Sequence, residues 1–233
     1  MRFPFRLSAD LLKAKASRLF GDSRPVIFHA VPGDECVARA KNADSPVIWL
    51  SGTETLLQPG IGRVANALVE SERHVFLRTS GYDLRQRIHE FRPDSRLFLT
   101  LEFAGREEAH NKIAARPDAF RRALESIRAA KLSGFLVAAH ITVTPETDSC
   151  DARELIEFLD QKDMDGFIAS SGRQFSASNN ASLAEMLADV RAMIRCSRWE
   201  NFSRLLEASY AAAPARVLEK LSAPNENVFE EGD

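Results

Sequence analysis

Five short segments carry side chains able to do chemistry, and each ends, follows or lies within an apolar run. They are Ser51-Gly52-Thr53-Glu54-Thr55, Thr79-Ser80-Gly81, Thr100-Leu101-Glu102 with Gly105 just beyond, the series His140, Thr142 and Thr144, and Ser170-Ser171-Gly172. A carboxylate such as Glu54 accepts hydrogen bonds from a ligand amine, and Glu102 offers the same or a general base. His140 is the residue type that titrates near neutrality. Each also has a plainer reading. Glu54 suits a cap on the helix that follows, and Glu102 suits pairing with a local arginine. His140 lies among Ala138, Ala139 and Ile141, where a core histidine is expected. His110, within Glu107-Glu108-Ala109-His110-Asn111, fits a ligand-facing loop or an ordinary helix face. Turns also use Gly, Ser and Thr, so the repetition of such residues at corresponding places, rather than any one of them, points to a ligand cleft.

Several other chemistries have no support. Cys36, Cys150 and Cys196 are far apart and lack the close Cys or His spacing of zinc and iron–sulfur sites. The chain has no Cys-x-x-Cys, no Gly-x-Gly-x-x-Gly or Walker phosphate loop, and no Gly-x-Ser-x-Gly elbow. No metal ligand and no catalytic residue is assigned on this basis.

The elements that position these residues follow from periodicity. Apolar runs rich in β-branched residues, at 25–31, 46–50, 74–79, 97–102, 135–143 and 165–170, predict six strands. Between them lie helical stripes: Ile61, Val64, Ala65 and Leu68; Leu84, Ile88 and Phe91; Phe120, Ala123, Leu124 and Ile127; and Leu155, Ile156, Phe158 and Leu159. Strand–helix alternation demands parallel strands joined by right-handed crossovers, as a partial barrel or an open α/β sheet. In such folds ligands bind at the carboxyl ends of the strands, where the five polar segments fall. A first helix over 3–20, capped by Ser8, is expected to pack Leu11, Leu12, Ala16 and Leu19 on the domain. Its Arg2, Arg6, Lys13, Lys15 and Arg18 also suit contact with a membrane surface, the less favoured reading. After Gly172 a polar linker over 176–182 is expected. Two helices then carry Leu183, Met186, Leu187, Val190 and Ile194, and Trp199, Phe202, Leu205 and Leu206, with a break near Pro214. The expected organisation is an N-terminal helix (1–22), an α/β core (23–173), a helical extension (174–223) and an acidic tail (224–233).

Composition narrows the classes of function. The 233 residues hold 31 Lys and Arg against 33 Asp and Glu, a formal charge of −2, which argues against broad, nonspecific binding to nucleic acid or acidic membrane, and nucleic acid is not expected as a partner. At 45% hydrophobic and 27% charged, the chain is an ordinary globular one. An odd cysteine count disfavours a disulfide framework and suits a reducing cytoplasm. The first residues carry no apolar stretch of secretory type, and no window has the ~18–20 apolar residues of a membrane span.

Taken in order, the segments resemble the radical S-adenosylmethionine (radical SAM) superfamily. Pro46-Val-Ile-Trp-Leu-Ser-Gly-Thr-Glu-Thr-Leu-Leu-Gln-Pro59 is similar to its strand and Gly-Gly-Glu-Pro segment, and Thr79-Ser-Gly-Tyr-Asp-Leu84 to its Thr-Asn-Gly segment. Leu99-Thr-Leu-Glu-Phe-Ala-Gly105 with His110-Asn111 resembles its Ser-Leu-Asp-Gly and the His-Asp beyond. The stretch from Phe120 to Phe135 resembles its next helix and turn, and Met164-Asp-Gly-Phe-Ile168 its sixth strand. The branch most resembled is the hopanoid-biosynthesis type, which joins an adenosyl group to a hopene. The resemblance covers 25–172. It implies a partial (β/α)6 barrel of parallel strands with the C-terminal helices as an extension. It also implies an S-adenosylmethionine-type ligand site at Ser51, Gly52, Thr53, Glu54, Thr79, Ser80, Glu102, His140 and Thr142.

The departures from the family pattern are as informative. The family holds a four-iron cluster with Cys-x-x-x-Cys-x-x-Cys after strand one, and this chain has no such triplet. Either Cys36 matches the first cysteine, with Ala40 and Ala43 at the other two places, or Asp34 to Ala43 matches the end of the family's first helix and the cluster loop is missing. The second alignment runs without a gap into Ser51-Gly52 and is preferred. Thr53 and Thr55 replace a glycine and the proline of the S-adenosylmethionine segment, and a threonine side chain hinders close backbone approach. A 4Fe-4S cluster is therefore not expected, and S-adenosylmethionine is the one cofactor left to consider. The expectation is a degenerate radical SAM-like protein, a non-catalytic binding or regulatory partner of a cysteine-complete homologue or another protein. The alternatives are an enzyme with cluster-free chemistry at Glu54, Glu102 and His140, and a truncated copy of a radical SAM enzyme.

Overall fold

The computed structural model describes residues 2–33, 35–52, 54–171 and 180–211. Its elements in chain order are α1 (Phe5–Leu19), β1 (Ile27–Ala30), α2 (Cys36–Ala43), β2 (Val47–Leu50), α3 (Ile61–Glu70), β3 (His74–Thr79) and α4 (Leu84–Arg87). There follow β4 (Leu97–Phe103), α5 (Glu107–Ile113), α6 (Ala119–Leu132), β5 (Leu136–Val143), α7 (Ser149–Asp160), β6 (Gly166–Ser171), α8 (Ala181–Ala192) and α9 (Ser197–Ala211). All six predicted strands are present. They form one parallel sheet in the order β1-β2-β3-β4-β5-β6, so every crossover moves one place in the same direction.

The sheet is curved into a half-barrel, and one contact shows how strongly. The Trp49 and His140 rings lie 5.3 Å apart, although β2 and β5 are separated by two intervening strands. In a flat sheet, three strand spacings would hold them ~14 Å apart. Residues of one parity therefore face a hollow: His29, Trp49, Phe76, Arg78, Phe98, Glu102, His140 and Thr142. Those of the other parity, such as Leu99, Leu101 and Phe103, face the outer helices. Phe103 meets Phe120 of α6 edge-on.

The hollow is filled by α9. Phe202 stacks on Phe76 with ring centroids 4.8 Å apart, and Trp199 meets Phe98 edge-on. This helix also reaches both end strands of the sheet. On β6 the Ala169 N–H donates to Ser203 Oγ (3.0 Å), and the Ser171 N–H donates to the Glu207 carboxylate (2.9 Å). Arg191 of α8 donates from Nε to the Ala169 carbonyl (3.2 Å). On β1, His29 Nε2 and Ser209 Oγ are hydrogen-bonded at 2.7 Å. At β6, side chains of the helical extension thus take the place of the missing neighbour strand, which otherwise leaves an edge open to foreign pairing.

Two expectations at the ends of the core need correction. Helix α1 starts at Phe5 behind Pro4, so Ser8 is inside the helix and not its cap. Its inward residues are Leu7, fully buried, and Leu11, partly so, with Phe3 just before the helix also packed on the core, whereas Leu12, Ala16 and Leu19 face out. The expected set mixed two apolar stripes on opposite sides of one helix. The polar linker is also shorter than expected: Asn180 caps α8 by accepting from the Leu183 N–H (3.1 Å), and Ala181 and Ser182 are already helical. Thr53, Gly172, the rest of the linker, the Pro214 region and the acidic tail lie outside the described residues. Among the described residues, no helix is long and apolar enough to cross a membrane.

Gly166 begins β6 where α9 presses most closely. A Cβ there would stand 2.4 Å from Trp199 Cζ2, and Trp199 is held among Phe3, Phe98 and Phe202. Gly166→Ala is expected to destabilise the protein by about 1–3 kcal/mol in denaturant titration. A Cβ at Gly52 meets nothing closer than 3.9 Å, so Gly52→Ala should leave the midpoint unchanged. Equal midpoints for the two variants would contradict this placement of α9.

Candidate functional site

The site grows from the carboxyl ends of β2 and β3. Glu54 follows β2 in extended conformation and directs its carboxylate across to the end of β3. Its Oε1 accepts from Thr79 Oγ1 (2.7 Å) and from the Leu56 N–H (3.1 Å). Its Oε2 accepts from the Ser80 N–H (2.9 Å) and Ser80 Oγ (2.6 Å). The cap reading of Glu54 holds for the single turn Thr55–Leu57, and three of the four hydrogen bonds go to β3's end instead. Thr55 Oγ1 donates to the Arg78 carbonyl, and Arg78 Nη1 reaches the Gly52 carbonyl at 3.4 Å. The loop after β2 is thus latched to β3 at several points. Ser51 lies beneath it with a buried Oγ that finds no partner among the described residues.

A second cluster lies on the hollow face of β3, β4 and β5. Arg78 Nη2 donates to Glu102 Oε2, and Thr142 Oγ1 donates to Glu102 Oε1 (2.7 Å). His140 Nε2 and Ser170 Oγ are hydrogen-bonded at 2.7 Å. Arg78 joins the two clusters, because it touches both Gly52 and Glu102. Of the expected site residues, the described ones therefore fall along one strip at the carboxyl ends of neighbouring strands, with Glu54, Thr79, Ser80, Gly52, Glu102 and Thr142 joined by hydrogen bonds through Arg78 and Thr55, and His140 beside Glu102 in register on β5. Thr53 lies outside the described residues. His110 belongs elsewhere: it is buried on α5 between Phe103 and Phe120, and its Nδ1 accepts from the Ala104 N–H (3.4 Å). The loop reading for it is therefore excluded.

Electrostatics define what the strip can do. Burial pushes Glu102 up, but the Arg78 guanidinium, His140 and the Thr142 hydroxyl together outweigh that and hold its pKa at about 2. Burial likewise opposes the Arg78 charge, and Glu102, with Tyr210 and Glu54, more than restores it, so the Arg78 pKa lies above its ordinary value. A carboxylate so strongly ionised is a poor proton acceptor near neutrality. Glu102 is thus the fixed half of an ion pair, the plainer of its two readings. The signal for this arginine in the sequence is a cation directly after the apolar Val75-Phe76-Leu77, at the parity of Phe76. Glu207, Ser209, Arg191 and Ser203 were missed because they come from helices remote in sequence.

The pair gives a pH signature. A folded-state pKa below the ordinary 4.5 means that its contribution is complete above that value and is lost as pH falls toward 2. Unfolding midpoints between pH 7 and pH 3 should show an acid limb that is shallower in Glu102→Gln. Arg78→Met alone should cost about 3–5 kcal/mol, because it strands a buried carboxylate, and Arg78→Met with Glu102→Leu should cost less. An unchanged acid limb in Glu102→Gln would contradict the assignment.

The chain was compared with known proteins. No curated protein sequence matches it. Among solved structures it is similar to SuiB of Streptococcus suis bound to S-adenosylmethionine, at 14% identity and a TM-score of 0.55, over 76% of this chain and 47% of that one. It is similar to SuiB bound to precursor peptide SuiA at 13% identity and a TM-score of 0.55, over 76% and 48%. The chain spans about half the length of these structures, and at such identities the likeness concerns the fold. A family model described as the radical SAM superfamily matches residues 22–159, from just before β1 into α7 and more than half of the chain. The half-barrel and this match agree: the chain belongs to the radical SAM superfamily.

Proposed function

We propose that this protein is a degenerate member of the superfamily, of the branch that resembles the hopanoid-biosynthesis type. In this reading it works without an iron–sulfur cluster, as a non-catalytic binding or regulatory partner in a reducing cytoplasm. The family normally couples S-adenosylmethionine to a 4Fe-4S cluster, and the residues present do not fit the cluster. The observation that carries the reading is Cys36. It is the first residue of α2, it packs inward with Ala40 one turn on, and burial pushes its thiol up to about 11. A cluster ligand needs the opposite, a thiolate on an accessible loop. The connection from β1 to α2 is only residues 31–35, which agrees with the alignment in which the cluster loop is missing. Cys150 is exposed on α7, and Cys196 lies between α8 and α9. Among the described residues, no group of three or more His, Cys, Asp or Glu side chains could hold a metal.

The S-adenosylmethionine-type site is held shut by its own bonds. Both Glu54 oxygens already accept twice, so a ligand amine would have to displace Thr79, Ser80 or Leu56. A cysteine-complete homologue is the partner that this reading names, because it would supply the chemistry this chain lacks. Anaerobic reconstitution with iron and sulfide should give no stoichiometric four-iron chromophore. Calorimetry should show no tight binding of S-adenosylmethionine. A chromophore with deoxyadenosine formation would overturn the reading, and tight binding abolished by Glu54→Ala would show a working ligand site.

A further inference from the structure

Helix α1 has two apolar sides, and only one is used by the fold. Phe3, Leu7 and Leu11 face the core, with Phe3 edge-on to Trp199 at 4.7 Å. The other side carries Phe5, Ala9, Leu12, Ala16 and Leu19, at spacings of four, three, four and three residues, which is one continuous helix face. Phe5 is 82% exposed, Leu12 70%, Leu19 85%, and Phe20 just beyond 90%. Large apolar side chains are rarely left so bare in a row on one helix unless something covers them.

The charge around this stripe names what covers it. At 100° per residue, Arg6 and Lys13 border it on one side and Lys15 on the other, and all three are exposed. Arg2 and Arg18 add cations at the two ends. The sole acid of the helix, Asp10, lies away from the stripe and is bonded to His74 at 2.9 Å. The flanks that α1 itself supplies are therefore cationic in a chain of net charge −2, and beside Lys13 the neighbouring loops add Asp22, Asp44 and Glu72 together with Arg24, Arg73 and Arg96. Beside Leu12 a groove of about 190 Å³ opens between α1 and α9, floored by Leu11, Phe202 and Leu205, with Lys15 and Arg198 at its rim. An apolar stripe bordered by Lys and Arg, on a convex helix, matches an interface of acyl chains and anionic headgroups.

We propose that α1 docks this protein on an anionic lipid surface, with Phe5, Leu12, Leu19 and Phe20 entering the acyl boundary and the lysines and arginines meeting the headgroups. The helix underlies the amino ends of the strands, through Asp10 at the first residue of β3 and Phe3 against Trp199 beside Gly166. Docking would leave the Glu54–Glu102 strip facing solution.

The test is sedimentation of the full chain with vesicles of phosphatidylcholine, with and without one-third phosphatidylserine. Binding should favour the anionic vesicles by about tenfold and weaken as salt rises. Leu12→Gln with Leu19→Gln should reduce it by about tenfold or more, and Lys13→Glu with Lys15→Glu should remove the preference for phosphatidylserine. These side chains are exposed, so thermal melts of both variants should match the parent. Absence of binding, equal binding to both vesicle types, or parental binding by the leucine variant would overturn the proposal. So would a dimer in solution that the leucine variant abolishes, since the stripe would then be covered by a second copy.

Discussion

Six parallel strands curved into half a barrel leave three things unsatisfied: an edge at β1, an edge at β6 and a hollow lined with rings. One helix answers the last two. Trp199 and Phe202 of α9 fill the hollow against Phe76 and Phe98. Ser203 and Glu207 receive the N–H groups of β6, and Ser209 reaches His29 on β1. Burying backbone donors without such partners would be costly. The C-terminal helices are therefore packed into the same core as the sheet, and Gly166 is glycine because α9 lies directly on it.

That arrangement also shapes the chemistry of the hollow face. Its ionic groups are tied to one another before any ligand arrives. Arg78 holds Glu102, Thr142 holds the other oxygen, and Glu54 closes the end of β3. Preorganised polar groups aid function when they keep acceptors free for a ligand or transition state. Here the acceptors are filled from within, and the strip acts as a clamp between neighbouring strands. The superfamily scaffold is present, and the side chains at its mouth bond to one another across neighbouring strands; fold alone does not give their function.

The sheet was legible because strands buried on both faces read as unbroken apolar runs, as in Val47–Leu50, where every residue is buried. The cap role of Glu54 was legible too, because its bond to the Leu56 N–H spans two residues. Its bonds to Thr79 and Ser80 were not, since a register 25 residues away leaves no local trace. The β6 edge was hidden for the same reason, with Ser203 34 residues from Ala169. Helix α1 failed differently. Its apolar residues were all visible, but periodicity cannot say which of two stripes meets the core, and residues 11 and 12 lie on different ones.

The order of synthesis gives the position of α9 a further meaning. The strands leave the ribosome first and their lining last, with 40 residues separating Ser171 from Ala211. At about 5–20 residues per second, the nascent sheet spends about 2–8 s with Phe76, Phe98 and the β6 edge uncovered. Folding cannot be completed by stepwise addition of β/α units, as in a scaffold whose interior is lined by its own strands. It waits for the last described helix, and during that interval the unfinished hollow is exposed apolar surface.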